Sequence, residues 1–193
     1  SPYQISYKSL IPLEVDGLLA AEKNIGVTHI ANGSTRTQPT STAIGQAAGT
    51  AAALSARYNV VPRQLNSDLV QNSLLDNKQM LYFFEDVSPD HIFFKEIETL
   101  ALKQVSQGYS DFTFKPDEAI LRSHLAIQIV RAFKFSIDTT GGPHFSDVKP
   151  SDVGYNEIET LYNLGLTNTF NHDCSVNNFC PNNPGTRATA AAA

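Results

Sequence analysis

Apolar residues in the second half of the chain recur every three to four positions, which is the spacing of one face of an α-helix. A first set predicts a helix with charged residues on its solvent side. Its apolar members are Ile92, Phe93, Ile97, Leu100 and Ala101, and its charged members are Glu96, Glu98 and Lys103. A second set, at Leu125, Ile129, Val130 and Phe133, predicts another helix over about 122–133.

This helix-loop-helix pattern occurs twice along the chain. Residues 84–100 align with residues 145–161 at an offset of 61, and both segments end in Glu-Ile-Glu-Thr-Leu. Farther along, Phe-Lys-Pro at 114–116 corresponds to Phe-Cys-Pro at 179–181 at an offset of 65. The second copy therefore has four additional residues, and they fall in its loop.

An aspartate precedes the first helix of each copy, Asp86 in the first and Asp147 in the second. A carboxylate in that place accepts hydrogen bonds from free N–H groups and interacts favourably with the helix dipole. We therefore predict that both aspartates are helix caps, in preference to catalytic groups or metal ligands.

The two cysteines, Cys174 and Cys180, lie in the enlarged loop of the second copy. His172 offers a third zinc ligand, but a closed structural zinc site needs four and no fourth is evident. We predict a local disulfide between the cysteines and no metal site. A disulfide predicts that the chain is in an oxidising compartment, either secreted, at the cell surface or in the periplasm.

The repeat resembles the S-layer homology (SLH) module, whose pattern runs Phe-x-Asp-Val, an aromatic-rich helix, Gly-Ile-x-x-Gly, Phe-x-Pro and Thr-Arg-Ala. The second copy matches at Phe145, Asp147, Val148, Gly165, Leu166, Phe179, Pro181 and Thr186-Arg187-Ala188, and the first at Phe84, Asp86, Val87, Gly108, Phe114, Pro116 and Arg122. The first copy has Leu121 in place of the Thr and Gln104 where the second has Gly165. The resemblance covers residues 83–193 and implies all-α modules that bind cell-wall glycan or a peptidoglycan-linked polymer.

Arg122 and Arg187 each begin a predicted helix after a Phe-x-Pro turn. A cation at a helix N-terminus opposes the helix dipole, so these arginines are not placed for helix stability. Two explanations remain: an ion pair with Glu96 or Glu157 of a neighbouring module, or capture of an anionic glycan by the planar guanidinium. Arg122, Thr186 and Arg187 are the predicted glycan-binding residues. We expect the second module to bind more strongly, because the Thr186 hydroxyl adds a donor.

The first third of the chain has a different pattern. Residues 17–21 predict a short buried strand, residues 24–36 a polar loop punctuated by glycine, and residues 40–58 a helix rich in Ala and Gly. Small side chains on a helix serve close packing, or they let a ligand approach the N-terminus, where N–H groups and the dipole favour negative charge. The residues themselves leave both explanations open. Asn66-Ser67-Asp68 predicts the start of a further short helix.

The blocks 10–19, 23–39 and 44–53 resemble the C-terminal end of FAD-dependent oxidoreductases. In that family this end returns to the dinucleotide-binding domain and directs a helix N-terminus towards the flavin, whose reduced ring carries negative charge. The resemblance covers residues 1–60, with Glu22 in place of the usual small residue. It implies His29 and Arg36 as catalytic candidates, and the cofactor-binding candidates are Asn24, Ser34, Gln38, Pro39, Thr40, Gly45 and Gln46.

The chain contains no Gly-x-Gly-x-x-Gly, the motif that holds the pyrophosphate of a dinucleotide. We therefore expect FAD to bind only together with a missing N-terminal oxidoreductase segment, and no cofactor to bind this chain alone. Ser1-Pro2 without an initiator Met indicates a processed chain or a fragment.

Composition adds limits. The chain has 193 residues, a net charge of −5 and no basic cluster, so nucleic acid is not an expected partner. No apolar run approaches the roughly 20 residues of a membrane span.

We expect a mixed fold: a small α/β remnant of an FAD-binding, Rossmann-like domain (1–60), a connector (61–82), and all-α SLH modules at 83–140 and 141–193. The expected function is the C-terminal part of a secreted, envelope-anchored oxidoreductase-like protein, or alternatively a non-catalytic subunit of a surface layer or filament.

Overall fold

The computed structural model of the protein describes residues 3–167 and 174–185. Within these ranges the secondary structure consists of α-helices, short 3-10 turns and loops. The helices are α1 (His29–Thr35), α2 (Gln38–Tyr58), α3 (Ser67–Asp76), α4 (Phe94–Leu102), α5 (Arg122–Phe133) and α6 (Tyr155–Asn163). None of these helices has the length and apolar character to cross a membrane. The predicted site residues Thr186 and Arg187, like His172, lie outside the described residues.

The expected α/β remnant is wrong. Across the described ranges there is no sheet, and a single β-bridge joins Leu121 to Pro184. A strand is stable only when its N–H and C=O groups pair with a neighbouring strand. Residues 17–21 have no such neighbour among the described residues. Instead, the N–H of Ala20 donates to the carbonyl of Leu10 (2.7 Å), at the end of a 3-10 turn.

The predicted polar loop over 24–36 also differs from the structure, because most of it forms α1. Thr28 supplies the N-cap, and its Oγ1 accepts the N–H of Ala31 at 3.3 Å. The low helix propensity of a segment containing Asn, Gly, Ser and Thr conceals this helix from a reading of the sequence. The other helices predicted within the described residues are present, and α2 begins at Gln38, two residues before the predicted start at 40. The helix predicted to begin at Arg187 lies outside the described residues.

The chain divides into two compact units, Ser1–Phe83 with Ser88–Glu98, and Phe84–Val87 with Thr99–Ala193. The first unit has its core around α2, in two clusters of buried side chains. One contains Leu10, Ile25, Ile44 and Ala48, and the other contains Ala51, Leu65, Val70 and Leu74. Ala48 and Ala51 of α2 are therefore packing residues on its buried side, whereas Gly49, Ala52 and Ala53 are exposed.

The predicted connector, residues 61–82, is partly helical and packs into the core of the first unit. The helix α3 begins after Asn66, whose side chain accepts the N–H of Asp68 at 2.9 Å. Val70 and Leu74 of α3 share a buried cluster with Ala51 of α2. The segment thus contributes to the core of the first unit, and the domain boundaries given above remain predictions.

The second unit has its core between α5 and α6. Leu125, Ala126, Ile129 and Val130 of α5 pack with Ile158 and Leu161 of α6 and with Phe145, Val148 and Phe179 from the loops. Phe179, Ile158 and Leu161 are each 0% exposed. Because this core draws residues from both copies of the repeat, α5 is fixed by the loop and helix of the second copy.

Candidate functional site

A cavity of about 490 Å³ opens on one face of α5 in the second unit. Two segments of the first repeat copy form its other walls, the Gly-containing turn at 108–110 and the Phe-x-Pro turn at 114–116. The polar and charged residues that line it are Ser106, Gln107, Tyr109, Ser110, Lys115, Glu118, His124, Gln128 and Arg131. Because polar and charged side chains from a helix and two turns converge on this cavity, we take it as the candidate site.

The α5 wall of the cavity consists of His124, Ile127, Gln128 and Arg131. Their spacing of three and four residues places them on one face of the helix. Gln128 is held in place because its Nε2 donates to the Oγ of Ser106 at 2.9 Å. Arg131 is exposed, and no hydrogen bond or ion pair joins its guanidinium to the described part of the chain. Its donors are therefore available to a ligand.

The loop wall carries a second cation, Lys115. Its Nζ lies 5.1 Å from the centroid of the Tyr109 ring and 3.3 Å from a carboxylate oxygen of Glu118. The hydrogen bond to Glu118 raises the pKa of Lys115, so this lysine is charged at neutral pH. Two permanent cations and one carboxylate leave the cavity positive, which suits an anionic ligand.

Gly108 makes the turn of this wall possible. Its φ is +71°, a left-handed conformation in which a side chain is strained. A Cβ at this position would lie 2.5 Å from the carbonyl of Thr113 and 2.6 Å from the ring of Phe84. Any other residue would therefore displace the turn and change the shape of the cavity.

The Phe-x-Pro turns are held by the two repeat aspartates. The carboxylate of Asp86 accepts the N–H groups of Phe114 (2.8 Å) and Lys115 (2.7 Å). The prediction that the aspartates cap the following helices is therefore wrong, because the carboxylate of Asp86 binds a turn 28 residues farther along the chain. The sequence hid this contact, since nothing local links an aspartate to a turn so far along the chain.

The second copy repeats this clamp. Asp147 accepts the N–H of Phe179 at 2.9 Å and the N–H of Cys180 at 2.8 Å. The predicted disulfide between Cys174 and Cys180 is present in the same loop. Within the described residues, no group of three or more His, Cys, Asp or Glu side chains is arranged to hold a metal ion.

Arg122, a predicted glycan-binding residue, lies outside the cavity lining. It is 2% exposed, and its Nη1 donates to the Sγ of Cys174 (2.8 Å) and to the carbonyl of Phe179 (3.3 Å). The guanidinium is therefore buried under the loop of the second copy, where a glycan does not reach it. Arg131 is exposed, and the sequence analysis did not select it. The available signal was its position seven residues after His124, which places both residues on the same face of α5.

The catalytic and cofactor candidates of the first unit gather around α1 and the start of α2. His29 begins α1, Arg36 is its C-cap, and Gln38, Pro39 and Thr40 form the first turn of α2. Of the remaining candidates, Asn24, Ser34 and Gln46 are exposed and Gly45 is half-buried. The structure thus brings the start of α2 together with α1 on an accessible surface and places Gly45 and Gln46 a further turn along the helix.

Comparisons with known proteins agree with the sequence resemblances. Residues 1–74 match the model of the FAD dependent oxidoreductase family, and residues 83–126 match the model of the S-layer homology domain. The chain is therefore similar to the first family over residues 1–74 and to the S-layer homology domain over residues 83–126. The order is the one that the sequence predicted, and the oxidoreductase match extends past the expected boundary at 60 to include most of α3.

Among curated proteins, an amylopullulanase of Thermoanaerobacterium thermosulfurigenes is 33% identical to the chain over 70 residues. These residues are 36% of this chain and 4% of that protein. No solved structure matches the chain significantly. The fold is therefore described from its own contacts, and the activity of a whole protein is a matter for proposal.

Proposed function

We propose that this chain is the C-terminal part of a secreted, FAD-dependent oxidoreductase-like protein that SLH modules hold to the cell envelope. The match of residues 1–74 supports the oxidoreductase part and the match of 83–126 supports the anchoring part. The observation that carries the anchoring role is the positive cavity beside α5, because SLH modules bind cell-wall polymers and many such polymers are anionic.

In this proposal, Arg131 and Lys115 bind acidic groups of a cell-wall glycan. Arg131 offers a planar set of donors that can hold a carboxylate through two hydrogen bonds. Tyr109 supplies an aromatic wall beside Lys115, and Gln128 and His124 add polar contacts on the helix face. The cavity therefore combines charge recognition with the mixed polar and apolar lining that sugar rings need.

The test is a pull-down of the full chain on purified cell-wall polymer. We expect Arg131→Gln to lower binding about tenfold, which is the effect of losing roughly 1.4 kcal/mol of charge-assisted hydrogen bonding. Arg57→Gln is the matched control, because Arg57 is exposed on α2 in the first unit. Binding of Arg131→Gln at the parental level, with an unchanged circular dichroism spectrum, would remove this cavity from the anchoring role.

The first unit fits one end of FAD. The side chain of Thr37, the N-cap of α2, caps no backbone N–H of the helix, because its Oγ1 pairs with the hydroxyl of Thr40 at 2.9 Å. The backbone N–H groups of Gln38 and Thr40 therefore remain available to a ligand, whereas Pro39 has none. These groups, with Ser34 and Gln38 beside them, suit the ring end of a flavin, which would supply the electron-transfer chemistry when bound. The pyrophosphate requires the glycine motif, which we assign to an N-terminal segment of the full protein.

Exposed apolar side chains in the first unit support contact with such a segment. Leu13 is 87% exposed and Ile30, on α1, is 89% exposed. Apolar side chains left this open are commonly covered by a partner surface. The same exposure suits the alternative role, in which the chain is an assembly subunit without catalytic activity.

Absorption spectroscopy of the protein isolated from its native envelope separates the two roles. The oxidoreductase role predicts a flavin spectrum and a polypeptide longer than this chain. A colourless protein that assembles through chain-to-chain contacts, with no flavin released on denaturation, would establish the assembly role instead.

A further inference from the structure

The disulfide of the second repeat copy has a cation against one sulfur and a carboxylate that binds the backbone of the other cysteine. On one side, the guanidinium of Arg122 donates from Nη1 to the Sγ of Cys174 at 2.8 Å. On the other, the carboxylate of Asp147 accepts the backbone N–H of Cys180 at 2.8 Å. The cation contacts the Sγ of Cys174, so the two sulfurs are electrostatically unequal although both cysteines are half-buried.

Burial strengthens this inequality. Arg122 is 2% exposed, so its charge acts through protein and not through water. A neighbouring cation favours the thiolate form of a cysteine and makes that sulfur the better leaving group in thiol–disulfide exchange. The carboxylate of Asp147 binds the backbone N–H of Cys180 and gives its sulfur no comparable cation.

We propose that Cys174 and Cys180 form a thiol–disulfide exchange site in which Cys180 is the sulfur attacked and Cys174 is the leaving group. The reductant is an external dithiol. Its thiolate bonds to the Sγ of Cys180, the S–S bond breaks, and the electron pair leaves on Cys174 beside Arg122. The second thiol of the reductant loses its proton and displaces Cys180, which takes up a proton, and the reductant becomes a cyclic disulfide.

The exchange is coupled to the start of α5. The N-cap of α5, Leu121, gives no side-chain hydrogen bond, and the loop that carries the disulfide caps the helix instead. The N–H of Arg122 donates to the carbonyl of Asn183 (2.9 Å), and the N–H of Ser123 donates to the carbonyl of Pro181 (3.1 Å). Opening the disulfide frees the loop that provides these acceptors, so reduction loosens the N-terminus of α5.

Two single-cysteine variants of the full chain test the assignment of the sulfurs. Cys180→Ser retains Cys174, and Cys174→Ser retains Cys180. We expect iodoacetamide to alkylate Cys174 at least about tenfold faster than Cys180 at pH 6.5, because the thiolate is the reacting form. Adding Arg122→Gln to Cys180→Ser should reduce the rate of Cys174 to that of Cys180. Equal rates in the two single-cysteine variants would overturn the proposal.

The unsubstituted chain provides a second measurement that does not depend on the folding of any variant. Glutathione in limiting amount, followed by acid quenching and peptide mass spectrometry, locates the first mixed disulfide. Glutathione on Cys180 in clear excess supports the proposed direction of attack. Glutathione on Cys174, or equally on both cysteines, would contradict it whatever the outcome of the alkylation series.

Discussion

The two copies of the repeat share their loop clamp and differ in the use of one buried glutamate. In each copy an aspartate accepts two consecutive N–H groups of the Phe-x-Pro turn, and two Phe rings pack with centroids 5.2 Å or 5.4 Å apart. Glu98 and Glu159, from the identical segment Glu-Ile-Glu-Thr-Leu, are 1% and 0% exposed. The prediction that Glu98 faces solvent is therefore wrong.

The partners of the glutamates differ because the residues before each copy differ. Glu98 accepts the backbone N–H groups of Leu81 (2.8 Å) and Tyr82 (2.7 Å). Glu159 contacts the ring Nδ1 of His144 at 2.5 Å and accepts its backbone N–H at 3.1 Å. Burial raises the pKa of Glu98 to about 7, against the opposing effect of its two N–H donors. An identical helix sequence thus places its buried carboxyl group among different hydrogen-bond donors in each copy.

The largest expected effect comes from removing the clamp. We expect Asp147→Ala to lower the free energy of unfolding by about 3 kcal/mol, because two charge-assisted hydrogen bonds are lost and each contributes about 1.5 kcal/mol or more. Asp86→Ala should cost less, about 1–2 kcal/mol, since Asp86 is exposed and water replaces part of the loss. Urea denaturation measures both values.

Asp117→Ala is the control for the clamp, since Asp117 is an exposed aspartate directly after the Phe-x-Pro turn of the first copy. We expect its midpoint in urea to stay within the error of the parent. Losses of similar, small size for Asp147→Ala and Asp117→Ala would show that the carboxylate clamp does not stabilise the second copy.

The second prediction concerns the pH dependence that Glu98 introduces. The folded chain holds the Glu98 proton more tightly than the unfolded chain, so its contribution to stability is present below about pH 4.5 and is lost as pH rises to about 7. The loss is about 3 kcal/mol at most, since one pKa unit corresponds to about 1.4 kcal/mol. Glu98→Gln should remove this slope.

Urea midpoints measured from pH 4 to pH 8 test the slope. Glu96→Gln, an exposed change of the same kind on the same helix, should leave it intact. If the parent and Glu98→Gln have parallel pH profiles, the carboxyl of Glu98 titrates normally and its burial has no electrostatic consequence.

The smallest expected effect distinguishes the helix ends of the two copies. Gln104 and Gly165 occupy equivalent positions after α4 and α6, with φ of 59° and 73°. A side chain in this left-handed conformation costs about 1 kcal/mol. We expect Gln104→Gly to stabilise the chain by about this amount and Gly165→Ala to destabilise it similarly. A Cβ at Gly165 meets no atom within 4 Å, so the cost of Gly165→Ala comes from the backbone conformation and not from a clash.

Thermal unfolding of the two variants checks the helix-end prediction. Shifts of opposite sign and similar size are expected. A loss of stability in Gln104→Gly would mean that contacts of the Gln104 side chain outweigh its backbone strain.

Local patterns predicted the helices well and long-range contacts poorly. The periodicity of Leu125, Ile129 and Val130 placed α5 correctly, and the spacing of the cysteines predicted their disulfide. The strand at 17–21 failed because a strand depends on a partner that a local pattern does not specify. The contact from Asp147 to the Phe179 turn, 32 residues away, depends on the packing of the whole copy.

In the candidate site, too, local features were predicted from the sequence and long-range contacts were not. The Phe-x-Pro and glycine turns were recognised from the sequence, and they form walls of the cavity. Arg122 was chosen for its place in a motif, but its burial depends on a loop that begins about 50 residues later. Arg131 became a candidate only when the structure showed which face of α5 lines the cavity.

Hydrogen-exchange mass spectrometry of the full chain, with and without purified cell-wall polymer, tests the central claim most directly. The account predicts that the polymer slows exchange at 105–120 and along α5, because these segments line the cavity, and leaves α2 unchanged. Protection confined to α2, or no protection at 105–120 and α5 at polymer concentrations that retain the chain, would contradict the assignment of the cavity as the anchoring site.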